Sequence, residues 1–315
     1  MGATVGAGVG STMELVKIDQ FESNVIQRVQ QKNKRVAQYL MQKSMESRTK
    51  YIDRLGTTEM HERVGRNQLV EADDAEFDRR KLTMRPYAWA HYTDVFDKLQ
   101  TIHDPTGELA ISAMAAAMRR MDIIAITGLL GTAYEGENNP TAVNIPKEQK
   151  YVAASSGAIA DLNIEALIAV RQIFWENEAI ENEGDPIYLA TTSKDIAALL
   201  RDTKVQSADY NTVKALVAGE VNTFMGFVFL RTELLPRLEA SLAAIGVSNG
   251  VEAAANSRRN AAFVTSGACM GIGQDVQTSL DRIPQRYNSM LLQLNMAMGS
   301  TRLEEEKVVE LITKA

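Results

Sequence analysis

The chain opens on a helical pattern. Ile18, Phe21, Val25, Val29, Val36 and Leu40 recur at helical or near-heptad spacing, which predicts a helix from a Thr12 cap to about Arg48. The polar run QQKNKR interrupts the stripe, so the pattern fits a helix lying along a larger body better than an unbroken two-stranded coil. From Tyr51 to Gln100 the pattern becomes short and strand-like: YIDRLG, HERVGRNQLV and FDRRKLTMRPYAWAHY, with Gly56, Gly65 and the acidic EADDAE supplying turns. These pieces carry too few apolar residues to form a core. A two-stranded projection is marginal alone, so it must lie on another surface, and a partner subunit is the expected one.

A second helix is predicted from about Glu108 to Leu129, started by Asp104, Pro105 and Thr106 and stopped by Gly128 and Gly131. Leu109, Met114, Met118, Met121 and Ile124 form its apolar face, and Ala113, Ala115, Ala116 and Ala117 allow close packing. After the loop EGENNPTAVNIP, Asp161 is read as the cap of a helix whose Ile164, Leu167, Ile168 and Phe174 share a face. DPIYLATT reads as a buried strand. TSKDIAALL follows as a helix with Ser193 at its cap and Asp195 in its first turn. YNTVKALVAGE reads as helix, GFVFLRTE as strand, and NAAFVTSGACMGIGQDV as strand and turn. The tail SMLLQLNMAMGSTRLEEEKVVELIT reads as two strands meeting at Gly299 and Ser300. The sum is one α+β body with a basic helical arm and a protruding loop.

Composition sharpens this picture. The 315 residues are 45% hydrophobic, enough for a substantial core without disulfides. The single Cys269 cannot form an internal bridge, which favours a reducing compartment. No secretion signal is expected, because the N-terminus lacks a charged region followed by a long apolar run, and no membrane span, because Arg119, Arg120 and Asp122 interrupt the most apolar stretch. The net charge of −6 argues against a protein that coats DNA over its whole surface, yet the first fifty residues are locally basic. A solvated face and a surface turned towards a polyanion both fit that excess.

Chemistry-bearing motifs are weak. MGATVGAGVGST lacks the Lys of a phosphate loop and reads as a flexible arm. His61, His91 and His103 form no ligand pair, and one Cys excludes a zinc site with Cys spacing. Ser266 and Cys269 lie in no recognised nucleophile motif, and Asp73 and Asp74 sit in an acidic turn where solvation is expected. GIGQDV carries Val276 where a dinucleotide loop needs its third Gly. No catalytic, cofactor or metal residue is assigned. In FDRRKLTMRPYAWAHYTDVFDK the bases Arg79, Arg80, Lys81 and Arg85 alternate with Asp78, Asp94 and Asp97. Mixed signs suit another protein surface better than a phosphate backbone.

Four stretches, taken in order, resemble the major capsid proteins of tailed bacteriophages with the Hong Kong 97-type fold. They are YIDRLG followed by FDRRKLTMRPYAWAHYTDVFD; AMRRMDIIAITGLLG with GTAYEG; TTSKDIAALLRDTKVQSADYNTVKALVAGEVNTFMGFVFLRTE; and GIGQDVQTSLDRIPQRYNSMLLQLNMAMGSTRLEEEKVVELI. The resemblance implies a non-enzymatic, self-assembling coat protein of α+β class. It implies an N-terminal arm and basic helix at 1–48, an extended loop at 49–104, a spine helix and peripheral domain at 105–150, a mainly axial domain at 151–265, and a return to the peripheral domain at 266–315. Hexamers and pentamers of identical subunits would enclose double-stranded DNA by nonspecific contact, inside a virion assembled in the host cytoplasm, with scaffolding and portal proteins as partners and a decoration protein as a candidate partner. The loop would lie over a neighbour, making Arg54, Arg63, Arg66, Arg79, Arg80, Arg85 and Trp89 candidates for the subunit interface. Lys32, Lys34 and Arg35 are candidates for the interior, DNA-facing surface. Some members join a loop Lys to an Asn of another subunit. No Lys lies between Tyr51 and Arg80, and Lys50 and Lys81 stand at the loop base, so noncovalent stabilisation is expected. Two other readings stand beside this one: an encapsulin-like compartment with protein cargo, and a soluble nucleotide-binding enzyme built on the two glycine-rich stretches.

Overall fold

A computed structural model describes residues 30–58, 60, 62, 76–93, 106–180, 186–201, 223–240 and 246–314. Their elements in chain order are β1 (Met41–Ser44), β2 (Thr49–Leu55), β3 (Phe77–Thr83), β4 (Arg85–Thr93), α1 (Thr106–Leu130), β5 (Ala133–Glu135), β6 (Thr141–Val143), β7 (Lys150–Val152), β8 (Ala154–Ser155), β9 (Ala158–Ile159), α2 (Ile164–Glu176), β10 (Ile187–Thr191), α3 (Ser193–Arg201), β11 (Thr223–Phe224), β12 (Phe227–Arg231), β13 (Arg258–Phe263), β14 (Ala268–Ile283), β15 (Ser289–Arg302) and β16 (Val308–Thr313).

Three sheets organise the molecule. A six-stranded sheet runs β11-β12-β10-β13-β16-β7. Strand β16, VVELIT, between β13 and the edge strand β7, is buried at every position, as expected for a strand covered on both faces. One face packs Leu189, Phe227 and Leu311 against Leu167 and Phe174 of α2 and Leu199 of α3. The other turns Ala190, Phe263 and Val308 towards α1. The second sheet runs β1-β14-β15-β4, and its long β14–β15 hairpin carries α1. The third runs β2-β3-β5-β6 and roots a hairpin that leaves the body beyond Arg54 and Asp78.

The helix predicted from residue 108 to 129 forms as α1, and it buries its small residues. Ala113, Ala117, Met121 and Ala125 face inward, while Met114 of the expected apolar face stays exposed. Gly128 does not stop this helix. A Cβ there would fall 2.1 Å from Ser300 Oγ, so glycine lets the last turn touch β15. That contact offsets the roughly 0.5–1 kcal/mol a mid-helix glycine costs. Gly299 makes a similar approach, where a Cβ would lie 2.1 Å from the Thr83 carbonyl.

Several sequence expectations change. Residues 30–48 contain a single 3-10 turn at Ala37–Tyr39 and strand β1, not the end of a long helix; the segment before residue 30 lies outside the described residues. The polar QQKNKR run, which broke the apolar stripe, marks an irregular strap bonded through its backbone to the side chains of Asp122 and Arg119. The cap of α2 is Asn163, whose Oδ1 accepts from the Ala166 amide at 2.8 Å, rather than Asp161. Thr192, not Ser193, precedes α3 and donates to Asp195 Oδ2 at 2.7 Å, while Ser193 donates its amide and hydroxyl to Glu233. β15 runs unbroken through Gly299 and Ser300 to Arg302, so the final turn lies at residues 303–307. GIGQDV is strand within β14, which removes the strand–turn–helix setting a dinucleotide loop requires. The predicted helix at 210–220 lies outside the described residues.

Candidate functional site: the root and outer end of the β2–β3 hairpin

β3 alternates. Asp78, Arg80 and Leu82 turn inward, and Phe77, Arg79 and Lys81 turn outward. The inward side meets the β15–β16 turn in a cluster of buried charge. Arg80 is fully buried, and its Nη2 donates to Glu305 Oε2 at 2.9 Å. Among the described residues its Nε and Nη1 have no hydrogen-bond acceptor, so Glu305 is the carboxylate that meets this charge directly. Arg302, also fully buried, donates from Nε to Glu305 Oε1 at 3.2 Å. Arg54 grips Asp78, its near neighbour across the ladder, through both nitrogens of its fork, and lies 3.3 Å from Glu135 and 3.6 Å from Glu305. Three guanidinium groups thus face three carboxylates. Burying this many ions is costly unless each is paired, so removing one partner is far more damaging than the net worth of the pair.

The electrostatics follow the geometry. Burial pushes the Arg302 pKa down, against the pull of Glu305. Burial also opposes the Arg54 charge, but the hydrogen bond and charge of Asp78, with Glu305 and Glu135, outweigh it and raise the pKa. The Arg54 hydrogen bond holds the Asp78 carboxyl below the usual range. Glu135 moves the other way: its hydrogen bond with Asp78, then burial, raise its pKa.

The same cluster closes the end of α1. The last turn of that helix holds no basic residue, although its free carbonyls and dipole favour one. Arg302 Nη1 supplies it from β15, donating to the carbonyls of Leu129 and Gly131, both at 2.9 Å, while Nη2 reaches Val143 at 3.1 Å. Arg259 Nη2 takes the Leu130 carbonyl at 2.9 Å and its Nε pairs with Glu310. The helix, the hairpin root and the last strand pair are therefore tied at one point.

Midway along α1, Asp122 is fully buried and fixes the strap. Its Oδ1 accepts the amides of Arg35, Val36 and Ala37 at 3.0, 3.0 and 3.1 Å, and its Oδ2 accepts Gln31 Nε2 at 2.5 Å. Arg119 adds bonds to Gln30 and to the Gln31 carbonyl. A carboxylate receiving several amides replaces the water those groups lose.

The outer end of the hairpin contrasts with the root. Leu55 and Phe77 are direct cross-strand partners, 61% and 74% exposed, and Met60 beyond them is fully exposed. Arg79 lies on the outward face, paired with Asp53 and Glu137, both at 2.8 Å.

Of the interface candidates, Arg54, Arg79 and Arg80 come together at the root and pair within their own chain. Arg80 is fully buried there, with its charge answered inside its own chain by Glu305. Arg85 and Trp89 are on β4, which pairs with β15, and so do not belong to the projecting hairpin. Arg63 and Arg66 lie outside the described residues. Arg35 spends its amide on Asp122 and its Nη1 on the Arg231 carbonyl at 2.7 Å, whereas Lys32 is exposed and Lys34 half-buried. Sequence reading missed Asp122, Arg259, Arg302, Glu305 and Glu310 as organisers. The available signal was the interruption of an apolar helix by Arg119 and Asp122.

Cys269 is buried, and burial pushes its pKa up to about 11, as for an inert core thiol. His91 is exposed and stacks on Trp89 with ring centroids 6.1 Å apart; His61 and His103 lie outside the described residues. Among the described residues no group of three His, Cys, Asp or Glu is arranged to hold a metal ion, and no helix is long and apolar enough to cross a membrane.

A long helix laid on a long hairpin sheet, a six-stranded sheet flanked by two helices, and a projecting hairpin define the Hong Kong 97-type capsid fold. The chain is similar to the capsid of cyanophage P-SCSP1u, with a TM-score of 0.73 and 14% identity over 97% of this chain and 95% of that one. It is similar to the capsid of Ralstonia phage GP4, with a TM-score of 0.68 and 12% identity over 98% of both chains. The capsid of the native GTA particle gives a TM-score of 0.63 and 14% identity over 95% of this chain and 96% of that one. No curated protein matches. A family model described as phage capsid protein matches residues 15–314, and the chain belongs to that family: it is a major capsid protein, a structural part of the virion shell.

Proposed function

We propose that identical copies of this chain assemble as hexamers and pentamers into a closed icosahedral shell around phage double-stranded DNA, without catalysing a reaction. The observation that carries this reading is the β2–β3 hairpin, whose root is tied internally by paired ions and whose outer end leaves a cross-strand Leu55–Phe77 pair uncovered. A neighbour's surface supplies the missing cover, and weak contacts repeated around a closed shell hold each subunit in place. Residues 49–83 are the extended loop on this reading, a shorter span than 49–104, because β4 pairs with β15. α1 with the β14–β15 hairpin serves as the peripheral domain, and the six-stranded sheet with α2 and α3 as the axial domain. The absence of Lys between Tyr51 and Arg80 favours a noncovalent shell.

Lys32 and Lys34, carried on the strap, face the packaged DNA, and such contacts weaken with salt and ignore base sequence. Scaffolding and portal proteins act during assembly in the host cytoplasm, and a decoration protein is a further candidate partner. The test is expression of the full chain with its phage assembly partners, followed by electron microscopy and a nucleic-acid assay of the particles. Closed shells with five- and six-fold clusters are expected. A chain that stays monomeric at high concentration beside those partners overturns the reading.

A further inference from the structure

An open sheet has edge strands whose outer backbone groups can pair with another chain, and most edges here are closed to that. β7 is covered: Ser248 donates its amide to the Lys150 carbonyl at 2.8 Å, and Asn249 Nδ2 donates to the Val152 carbonyl at 2.6 Å. β14 beyond Ile272 is broken by two register shifts, and Asp275 accepts the Val276 amide there at 2.8 Å. β2 carries Lys50, Asp53 and Arg54, while β6 and β11 are three and two residues long. Past its start, β4 has none of these protections. It pairs with β15 through nine successive residues without a bulge, and Tyr87 to Thr93 contains no Lys, Arg, Asp or Glu. Among the described residues no strand lies beyond it in the sheet order β1-β14-β15-β4.

The sequence of β4 tells which backbone groups face outward. Pro86 sits inside the ladder and has no N–H, a position tolerated where that group would point away from the partner strand. Backbone groups alternate sides along a strand, so Ala88, Ala90 and Tyr92 also turn their amides and carbonyls away from β15. Ala88 and Ala90 are exposed and small, so no bulky side chain screens this edge. Tyr87, Trp89 and His91 share the opposite face, with the Trp89 and His91 rings stacked at 6.1 Å. A depression of about 310 Å³ separates Tyr87 and Trp89 from Ala113, Ala116 and Ala117 of α1. The alanines of the helix thus leave space under the edge for side chains of an added strand.

We infer that β4 is a pairing edge for a second copy of itself: two chains related by a two-fold axis align their β4 strands antiparallel about Trp89, and two four-stranded sheets become one. This rests on the shell reading above and names the surface of one contact between copies. A closed shell of identical subunits has two-fold axes, and a contact across one needs a patch that complements itself. β4 meets that need. With Trp89 on the axis, Ala88 and Ala90 of one chain face Ala90 and Ala88 of the other and exchange both backbone bonds. Pro86 falls opposite Tyr92, where its carbonyl accepts an amide and its missing donor is least felt. Arg85 meets Thr93, so no charge faces its like, and Tyr87 lies across from His91 as an aromatic pair. An extended segment of an unlike protein is the competing occupant. It would gain similar backbone bonds, but the fit of β4 to its own reverse sets one register and favours the copy.

The test assembles full chains carrying Ala88→Cys together with chains carrying Ala90→Cys, each with its own tag, and oxidises the intact particles. Paired Cα atoms would lie about 5.5 Å apart, within reach of a disulfide. Native Cys269 is buried and does not compete. Mixed shells are expected to give dimers of one chain of each kind at about tenfold or more the level from shells of either variant alone, because position 88 faces position 90 and not itself. Mixed shells no richer in dimers than single-variant shells overturn the pairing. Intact mixed shells that yield only monomers overturn it and leave the shell reading in place. A second variant, Ala90→Pro, removes an outward donor and spares the β15 ladder. Its subunit is expected to keep the wild-type urea midpoint while shell yield falls by at least about tenfold, since a small loss repeats at every such contact. Wild-type yield, or a lowered midpoint that shows the Ala90 amide to be bonded to β15, overturns the inference. Lost yield from Ala90→Pro without mixed dimers in the cysteine shells overturns it in favour of a strand from another protein. Failure of the wild-type chain to form shells overturns both this pairing and the shell reading.

Discussion

The middle and the outer end of strand β3 behave oppositely. At Arg80 the chain is fully buried and its charge is answered within the subunit; three residues away, Phe77 is 74% exposed with an equally exposed partner across the ladder. The difference is between what a subunit settles by itself and what it leaves to a copy. A charged residue is placed where it can be fully paired at the root, and an apolar one is left in water at the outer end. An isolated protein would have little reason for either choice, since buried ions seldom add net stability and exposed apolar pairs forgo burial. Together they give a lever with a fixed base and an unoccupied tip.

The largest expected effect comes from the root. Glu305→Ala removes the carboxylate that accepts from Arg80 and the one beside Arg302. Breaking a buried pair in this way costs about 3–5 kcal/mol, to be read from urea denaturation of the subunit. Phe77→Ser at the tip is expected to change subunit stability by less than about 0.5 kcal/mol while sharply lowering shell yield. Equal losses of stability from the two substitutions would break the comparison. The same logic rules out Arg80→Glu as a probe of assembly: it would set a fourth negative charge in the buried root and unfold the subunit before any interface was tested.

Asp122→Asn is expected to cost less, about 1–3 kcal/mol, because one acceptor oxygen becomes a donor facing Gln31 and the strap amides. Hydrogen exchange should rise first at residues 30–40, with the hairpin root unaffected. Simultaneous exchange of the strap and the root would show that the two are one cooperative unit.

The local patterns of this fold were open to reading: the alternation of β3, the small-residue face of α1, and the buried strand Ile187–Thr191 each reflect neighbours in sequence. The α1 terminus was not, because its capping arginines sit 129 and 171 positions further along the chain. Arg302 looks in sequence like any basic residue beside an acidic EEE run. The strap misled for a related reason. Val36 and Leu40 keep helical spacing, but Asp122 satisfies the backbone amides that a helix would otherwise have bonded. Arg85 and Trp89 were grouped with the hairpin by proximity, while a register nine pairs long assigns β4 to β15.

A smaller effect sharpens the root through pH. Glu135 has its pKa raised, first by its hydrogen bond with Asp78 and then by burial, so its ionised form subtracts stability above the ordinary glutamate range. Glu135→Gln is therefore expected to stabilise the subunit slightly at neutral pH, by under about 1 kcal/mol for a partly exposed group. The gain should fade as pH falls through the raised pKa and vanish below the ordinary one. Asp78 runs the other way: its depressed pKa contributes stability above the ordinary aspartate range, lost as pH falls through the depressed value. Denaturation of wild type and Glu135→Gln across mildly acidic pH separates the two, and a gain that grows on acidification would reverse the assignment.

The smallest perturbation uses a thiol already in place. Cys269 packs with Met45, Ile52, Leu82 and Leu303, so it sits under the hairpin root, and burial pushes its pKa up to about 11. At neutral pH roughly one such thiol in ten thousand is ionised, and a buried one is out of reach of reagent as well. Labelling of Cys269 must then wait for the root to open, and its rate reports that opening. Leu55→Cys, at the exposed tip, should react at the rate of an unstructured peptide thiol. If the root stays closed while the tip is free, Glu305→Ala will accelerate Cys269 labelling and leave Cys at position 55 unchanged. Assembly should do the reverse, slowing the tip thiol as a neighbour covers it while the already protected Cys269 hardly responds. Equal slowing of both on assembly would mean that the root is completed by the neighbour too, and the line between internal and shared contacts would move inward from Phe77 to Arg80.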